Sequence, residues 1–359
     1  MSDQHSLSTP GTERHPLTVD GSVELAVLER SGLDESRHIG AGVVVDQSGT
    51  VLRALGDIDA SIYPRSCLKP LQAITVLRSG VDLAGPQAVL ATASHAGTDA
   101  HQAVVAEVLE RSGSTEDDLL CPPDWPGDRG SARRAEGARR MAMNCSGKHA
   151  SFLLACATNG WDPHTYVSLD HPLQRAIRET VGEFTGEIAD HAGVDGCGAP
   201  VFATTLVGLA RAIGTVSGSA GSGSAGSGDS AASSIGPRAD IDAGRLVDAV
   251  LADAWALDGP GRANTVTIDE LGVFAKLGAE GVMVMGTTGG VATAVKVLDG
   301  NLRAATLVAL HLLREQGVVD AAAVDRVVEQ TTERVLGGGV TVGRIRLGAG
   351  VQAGPTRAS

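Results

Sequence analysis

The sequence predicts an α+β fold in which one antiparallel sheet is assembled from both ends of the chain around a helical middle region. Apolar, β-branched runs of strand length lie near the two ends: residues 23–30, 39–46, 270–276, 281–286, 290–297 and 340–347. Between them the apolar residues recur with a helical period. Strands at both ends and helices in the middle favour a single sheet with helices packed on it.

The individual elements follow from local signals. Gly49 lies in a turn before Val51, which predicts a third strand in an N-terminal antiparallel group. Pro70 comes early enough in its segment to be tolerated in the first turns of a helix. The segments with helical periodicity are 66–79, 86–93, 99–112, 148–158, 171–184, 200–213, 241–257, 302–315 and 319–335.

The chain organisation indicates one domain over residues 22–350. With 359 residues, 43% of them apolar, the chain is long enough to bury a substantial core. Residues 1–21 are polar and lack an apolar signal-peptide core, so we expect a disordered tail. Residues 217–234 are almost entirely Gly, Ser and Ala and predict a flexible loop inserted in the domain. The alternative is a linker, but the last third looks too short to stand alone.

Composition excludes several functional classes. No apolar run reaches the roughly 18 residues of a membrane span, which predicts no membrane partner. The formal charge of −13 argues against nucleic acid as a partner. Five cysteines without an export signal predict reduced thiols and a cytoplasmic protein rather than a disulfide framework.

Lysine is unusually scarce. The chain has 25 arginines and only four lysines, which are Lys69, Lys148, Lys276 and Lys296. Arginine stays protonated near neutral pH, whereas a partly buried lysine can lose its proton and act as a base. The surviving lysines are therefore candidates for positions that need a neutral amine, although base composition of the genome can also leave a few lysines by chance.

Ser66 and Lys69 form a Ser-x-x-Lys motif at the start of a predicted helix. Residues three apart share a helix face, so the amine can reach the hydroxyl and take its proton. The positive end of the helix disfavours a charged amine and stabilises a developing oxyanion. The alternative interpretation is an ordinary helix start with a serine cap.

Four further segments concentrate polar and small residues at element junctions. Ser94 and His95 follow an apolar segment. His95 and His101 are candidate catalytic bases, but a single histidine more commonly has a structural role in the core or on the surface. Cys145 and Lys148 are three apart, and Asp195 and Cys197 lie in a glycine-rich turn. Lys276 is in Phe-Ala-Lys-Leu-Gly, similar to the Lys-Thr-Gly strand of Ser-x-x-Lys acyl-enzymes, with Leu277 in place of the hydroxyl. Lys296 alternates like an exposed strand residue.

Together these segments resemble the asparaginase II family, the class 3 L-asparaginases with Ser-Lys active sites. The resemblance covers roughly residues 22–350. It implies a serine β-lactamase/glutaminase-like fold and hydrolysis of L-asparagine through a serine acyl-enzyme. The motifs that carry it, in chain order, are Pro64-Arg65-Ser66-Cys67-Leu68-Lys69-Pro70, Ala93-Ser94-His95, Asn144-Cys145-Ser146-Gly147-Lys148-His149, Asp195-Gly196-Cys197-Gly198-Ala199-Pro200 and Phe274-Ala275-Lys276.

The same resemblance implies residue roles. Ser66 matches the nucleophile and Lys69 its base, and a second tandem of Ser94 and Lys276 supports proton transfer. A site for one zinc ion and a homodimer are also implied. The residues that match the zinc ligands are Cys145, Lys148 and Cys197, and those that match the surroundings of the substrate are Arg65, His149 and Asp195.

Two rival functions stay open at the level of sequence. One is another Ser-Lys hydrolase, with a glutaminase more credible than a β-lactamase because the Lys-Thr-Gly hydroxyl is missing. The other is a non-catalytic zinc-binding protein. That reading leaves Ser66, Lys69 and Lys276 unexplained, and it predicts that chelation unfolds the protein.

Overall fold

A computed structural model describes residues 14–222 and 240–353 of the chain. The strands are β1 (Val23–Arg30), β2 (Leu33–Val45), β3 (Val51–Leu55), β4 (Ser61–Ile62), β5 (Ala192–Val194), β6 (Pro200–Phe202), β7 (Thr204–Thr205), β8 (Phe274–Gly278), β9 (Val282–Gly286), β10 (Ala292–Val297), β11 (Val335–Gly337) and β12 (Val340–Leu347).

The helices lie mostly between the two groups of long strands. They are α1 (Lys69–Arg78), α2 (Gly85–Thr92), α3 (Asp99–Ser112), α4 (Arg129–Arg134), α5 (Ser146–Asn159), α6 (Pro172–Thr185), α7 (Leu206–Gly218), α8 (Ile241–Ala252), α9 (Ala263–Leu271), α10 (Ala305–Glu315), α11 (Ala321–Thr331) and α12 (Ala349–Gln352).

The main sheet is antiparallel and takes strands from both ends of the chain. Its order is β11-β12-β1-β2-β10-β9-β8, with β3 paired to β2. The central pairing joins the two ends directly, because Val43 of β2 lies opposite Ala294 of β10. The predicted α+β fold, with its sheet built from both termini around a helical middle, is confirmed.

The centre of the sheet is covered on both faces. An added Cβ at Gly42 would touch Leu312 of α10, whereas Val45, three residues along the same strand, packs near Gly214 of α7. Because side chains alternate between the faces of a strand, α7 and α10 cover opposite faces. This explains why β9 and β10 are almost continuously apolar and buried.

Several predicted boundaries were wrong for physical reasons. The helix expected over 200–213 begins only at Leu206, where the Thr205 side chain accepts a hydrogen bond from the N–H of Gly208, because residues 200–205 form the short strands β6 and β7. The strand expected from residue 270 begins at Phe274, after a helix (α9) that the sequence did not predict. Strand β11 was also missed inside the helix expected over 319–335.

The expected tail over residues 1–21 needs a correction for its second half. Pro16 forms a β-bridge with Ser61, Leu17 is buried, and Arg14 pairs with Asp190. These contacts hold residues 14–21 against the body of the protein, and residues 1–13 lie outside the described residues. Of the predicted loop over 217–234, residues 217 and 218 end α7, and residues 223–234 lie outside the described residues.

Candidate active site

The Ser66 segment starts a helical turn at the edge of a cavity. A 3-10 turn over Arg65–Leu68 leads directly into α1, so Ser66 and Lys69 lie one turn apart. Arg65 has a φ of 51°, in the left-handed region that non-glycine residues rarely adopt. Such strain clusters at functional turns, where the surrounding structure holds it in place. Ser66 lines the cavity, and Lys69 is buried.

Ser94 lies between two buried amines. It follows α2, and its Oγ is 2.9 Å from Lys69 Nζ and 2.8 Å from Lys276 Nζ. Lys69 Nζ also donates to the carbonyl of Ala93, and Lys276 Nζ to that of Leu277. Within the described residues no hydrogen bond joins Ser66 to Lys69. The two predicted Ser-Lys tandems thus share one contact point, the hydroxyl of Ser94.

Lys276 projects from β8, which packs against the Ser66 turn. A Cβ at Gly278 would lie 2.8 Å from the carbonyl oxygen of Pro64, so only glycine allows this approach. The thiol of Cys67 donates to the carbonyl of Lys276. Burial, followed by the charge of Lys69, lowers the pKa of Lys276 to about 7. Lys276 is therefore a neutral amine for much of the time near neutral pH.

The cavity beside these groups has a volume of about 270 Å³. That is slightly below the ~300–1,000 Å³ of sites for drug-sized ligands, which indicates a small ligand. Ser66 and Ser94 form part of its wall, and the side chains of Asp258, Arg262 and Asn264 also line it. The last three were not singled out from the sequence, where Asp258 and Arg262 look like an ordinary i, i+4 ion pair.

The predicted metal ligands come together beside the active site. Cys145, Lys148 and Cys197 are buried, and Lys148 Nζ lies 3.0 Å from Cys197 Sγ. A hydrogen bond with Cys145 lowers the pKa of the Cys197 thiol, with Lys148 acting in the same direction. Burial alone lowers the pKa of Lys148, but the charges of Cys197 and Cys145 outweigh it and the net shift is upward.

This cluster is an unusual donor set. Across residues 14–222 and 240–353, no group of three or more His, Cys, Asp or Glu side chains is arranged to hold a metal ion. The cluster has two thiols and one lysine amine, and His149 follows Lys148 in the chain. The Nε2 atom of His149 is buried without a hydrogen-bond partner, while its Nδ1 lies 2.8 Å from the hydroxyl of Tyr166. Soft thiolates and an adjacent buried nitrogen suit a zinc ion.

The three residues expected around the substrate lie within two positions of Ser66, Lys148 and Cys197 in the chain. Arg65 Nε donates to Asp195 Oδ1 at 2.7 Å, so this pair connects the Ser66 turn to the Cys197 turn. His149 is fully buried, and burial lowers its pKa. Within the described part of the chain, none of the three is among the residues that line the cavity.

The two histidines near Ser94 have structural partners. His95 lines the cavity, is buried, and lies 3.0 Å from Ser146 Oγ, and burial holds its pKa well below the usual range. His101 lies within α3, where its ring contacts Thr98 at the start of that helix and the carbonyl of Trp255. Both geometries agree with the commoner, structural role for a histidine.

Comparison with known proteins identifies the family. The sequence profile of L-asparaginase II matches residues 26–347, nearly the whole chain. The chain belongs to the L-asparaginase II family. This confirms the resemblance carried by the Ser-Lys motifs and assigns the chain to a family of amidohydrolases. No curated protein matches the chain.

Some solved structures resemble this L-asparaginase II family member distantly. Mglu in its native form aligns at 14% identity and a TM-score of 0.42, over 79% of this chain and 66% of that one. A β-lactamase from Mycobacterium bovis aligns at 16% identity and a TM-score of 0.39, over 81% and 95%. The chain thus spans about two thirds of the length of the Mglu chain. None of the helices in the described part of the chain is both long and apolar enough to cross a bilayer.

Proposed function

We propose that the protein is an L-asparaginase that hydrolyses L-asparagine to L-aspartate and ammonia through a serine acyl-enzyme. The observation that carries this proposal is the hydroxyl of Ser94 held between two buried amines, beside a cavity that Ser66 also lines. Family membership supports the amide substrate. The small cavity favours an amino-acid amide over a large ligand.

In this mechanism Lys69 and Lys276 share one proton through Ser94. When the proton lies on Lys276, Lys69 is a free amine and accepts the proton of the Ser66 hydroxyl. The Ser66 oxygen then attacks the side-chain amide carbon, and the protonated amine returns its proton to the departing nitrogen, which leaves as ammonia. A water molecule hydrolyses the aspartyl ester in the same way. Hydrogen bonds of this kind are often long before substrate binds.

Two backbone N–H groups are placed to hold the oxyanion. Ser66 is in the first turn of its helix, where N–H groups have no intrahelical partner. In β8 the N–H of Leu277 points away from β9, because it donates to Asn264 Oδ1 at 2.9 Å. Ala279 follows β8 directly and lines the cavity, so its N–H is the second donor that we propose for the oxyanion.

The proposal includes a structural zinc ion bound next to the active site. Cys145, Lys148 and Cys197 would hold it, and the buried, unpartnered Nε2 of His149 beside them supports a metal over a purely packed cluster. Lysine binds metal only as a neutral amine, so arginine cannot replace Lys148 in this role. A bound zinc ion supplies charge that would fix the Cys197 turn. A homodimer and a cytoplasmic location remain predictions.

The test measures ammonia release from L-asparagine and L-glutamine together with the site of acylation. We expect Ser66→Ala to lower kcat by about 10⁴–10⁶-fold and Ser94→Ala by about 10²–10⁴-fold. Acid quenching during turnover, followed by peptide mapping, should find the aspartyl group on Ser66. An aspartyl group on Ser94 would reverse the two roles, and faster hydrolysis of glutamine than of asparagine would make the enzyme a glutaminase. Unchanged hydrolysis in both variants would refute the mechanism.

A further inference from the structure

The cavity that Ser66 and Ser94 line is also lined by an arginine whose terminal nitrogens make no hydrogen bond within the described residues. Arg262 lines the cavity together with Asp258, and its Nε donates to Asp258 Oδ1 at 2.5 Å. Within the described residues, neither terminal nitrogen of this guanidinium, Nη1 or Nη2, makes a hydrogen bond. The side chain is 47% exposed, whereas that of Asp258 is 6% exposed. The buried carboxylate therefore fixes the stem of an arginine whose terminal nitrogens are accessible to a ligand.

The local backbone also favours this position for the arginine. Gly259 has a φ of 140°, and an added Cβ would lie 3.2 Å from Arg262 Cδ and 3.1 Å from the Cβ of Ala96. A side chain at residue 259 would therefore crowd the Arg262 stem. Asp258 is held in turn by the backbone N–H of Asn264, which approaches its second oxygen at 3.4 Å. The arginine, its carboxylate partner and the glycine form one preorganised unit.

The charges of the cavity point to the group that the arginine would bind. Arg262 is the single arginine or lysine among the described residues that line it, and burial keeps the lining His95 neutral. Two carboxylates, Asp124 and Asp258, also line the cavity, and Asp258 accepts from Arg262 Nε, so Arg262 is the group there that can attract an anion. Arg65, which the family resemblance places around the substrate, donates its Nε to Asp195 and is not among the described residues that line the cavity. Two parallel N–H groups of a guanidinium match the two oxygens of a carboxylate.

We propose that Arg262 binds the α-carboxylate of the substrate through its two terminal nitrogens, and that Asp258 is the residue that positions Arg262. This inference rests on the proposed function, since it names the group by which that active site selects its substrate. The substrate class is then a free amino acid with a side-chain amide, because a blocked α-carboxyl group cannot make the charged, bidentate contact.

The experiment compares L-asparagine with its α-methyl ester in ammonia-release assays. Loss of a bidentate charged contact should reduce kcat/KM for the ester by about 10–100-fold in the unmodified enzyme. In Arg262→Gln this preference should shrink to about twofold or less, because kcat/KM for the free acid falls while that for the ester changes little. Arg262→Lys should keep part of the preference, since it retains the charge without the fork.

Two further variants supply the controls. Arg134 is another arginine paired with an aspartate, Asp99. The Arg134 side chain is 62% exposed and does not line this cavity. Arg134→Gln should therefore leave the acid-to-ester ratio unchanged. Asp258→Asn should raise KM for asparagine while lowering kcat less, as expected of a positioning residue. If Arg65→Gln abolishes the preference and Arg262→Gln does not, the carboxylate is read at Arg65 and the inference is wrong.

A binding measurement separates this inference from the proposed function. Thermal shifts with L-aspartate and its α-methyl ester are recorded for the unmodified protein and for Arg262→Gln and Arg262→Lys. If no amide is hydrolysed but aspartate binding still depends on Arg262, the proposed function fails and the carboxylate site stands. If amides are hydrolysed but neither the acid-to-ester ratio nor aspartate binding changes in the Arg262 variants, the inference is wrong and the proposed function stands. Absence of aspartate binding to the unmodified protein also overturns it.

Discussion

Two clusters in the described part of the chain bury a lysine almost completely, yet they shift its pKa in opposite directions. Lys276 contacts Ser94 and lies near Lys69, and its pKa is lowered to about 7. Lys148 contacts the sulfur of Cys197, and its pKa is raised. Desolvation lowers both values, so the neighbouring charge decides the sign of the net shift. A second cation favours a neutral amine, and two thiols favour an ammonium ion.

This difference separates two reasons to keep lysine in an arginine-rich protein. In the Ser94 cluster a neutral amine can exchange protons with a hydroxyl. In the thiol cluster the charged amine balances the sulfur charge, and it would have to lose its proton in order to coordinate a metal ion. Arginine could supply the charge of the second cluster but neither the proton exchange nor the coordination. The predictions below test this contrast in order of expected effect.

The largest effect is expected from Lys276→Met. Removing this amine leaves the proton of Lys69 without a second acceptor, so kcat for asparagine should fall by about 10²–10⁴-fold. The matched control is Lys296→Met on β10, two strands away from β8 in the same sheet, where Lys296 Nζ donates to the carbonyl of Glu280. Steady-state ammonia release checks both variants. An equal loss in the two would show that the effect comes from the sheet and not from proton transfer.

The next effect concerns metal binding by Lys148→Arg. The guanidinium keeps the positive charge beside Cys197 but cannot coordinate a metal ion, so zinc affinity should fall by about 100-fold. Elemental analysis after equilibration at defined free zinc concentrations measures it, with circular dichroism to confirm folding. Lys296→Arg is the control and should bind zinc normally. Equal zinc content in Lys148→Arg and the unmodified protein would remove Lys148 from the ligand set.

The sequence predicted the parts of this contrast that depend on residue type and local spacing. The scarcity of lysine pointed to Lys69, Lys148 and Lys276, and the motif order pointed to the family. The central strands were predictable because burial on both faces makes β9 and β10 almost continuously apolar.

Other features depend on contacts between distant segments. The packing of β8 on the Ser66 turn brings the amines of Lys69 and Lys276 to the same hydroxyl, that of Ser94. Arg262 was missed because most of the basic residues in this chain are arginines, so one more arginine gives no signal. With Asp258 four residues earlier, it also resembles an ordinary ion pair on the surface of a helix. Helix α9 was missed because its β-branched Thr265-Val266-Thr267 run resembles a strand. Its buried residues, Asn264, Thr265, Thr267 and Ile268, have helical spacing.

The pH dependence should expose the lowered pKa of Lys276. Below about pH 7 Lys276 is protonated and cannot accept a proton through Ser94, so kcat/KM should fall by about tenfold per pH unit. Above pH 7 Lys276 is neutral and the rate levels off. Lys69, Cys67, Asp258 and Cys145 are the charged or titratable neighbours that set this value. The acidic limb should disappear from the residual activity of Lys276→Met.

The same shift has a stability consequence with a fixed sign. Between about pH 7 and the ordinary lysine value of 10.5, Lys276 binds fewer protons in the folded chain than in the unfolded chain. Its contribution to the free energy of unfolding therefore rises with pH across this window. Urea unfolding at pH 7 and pH 9 should show a larger increase for the unmodified protein than for Lys276→Met. An equal increase in both would contradict the lowered pKa.

The smallest expected effect lies between the two clusters, at the Arg65–Asp195 ion pair. This pair joins the turn of Ser66 to the turn of Cys197 at 2.7 Å, and both side chains are largely buried. We expect a coupling free energy of about 1 kcal/mol in a double-mutant cycle of Arg65→Gln and Asp195→Asn, measured by urea unfolding. The exposed pair Arg134–Asp99 is the matched control, with a coupling near zero. If the two cycles give the same value, the ion pair adds nothing to the link, and the clusters are held together by packing alone.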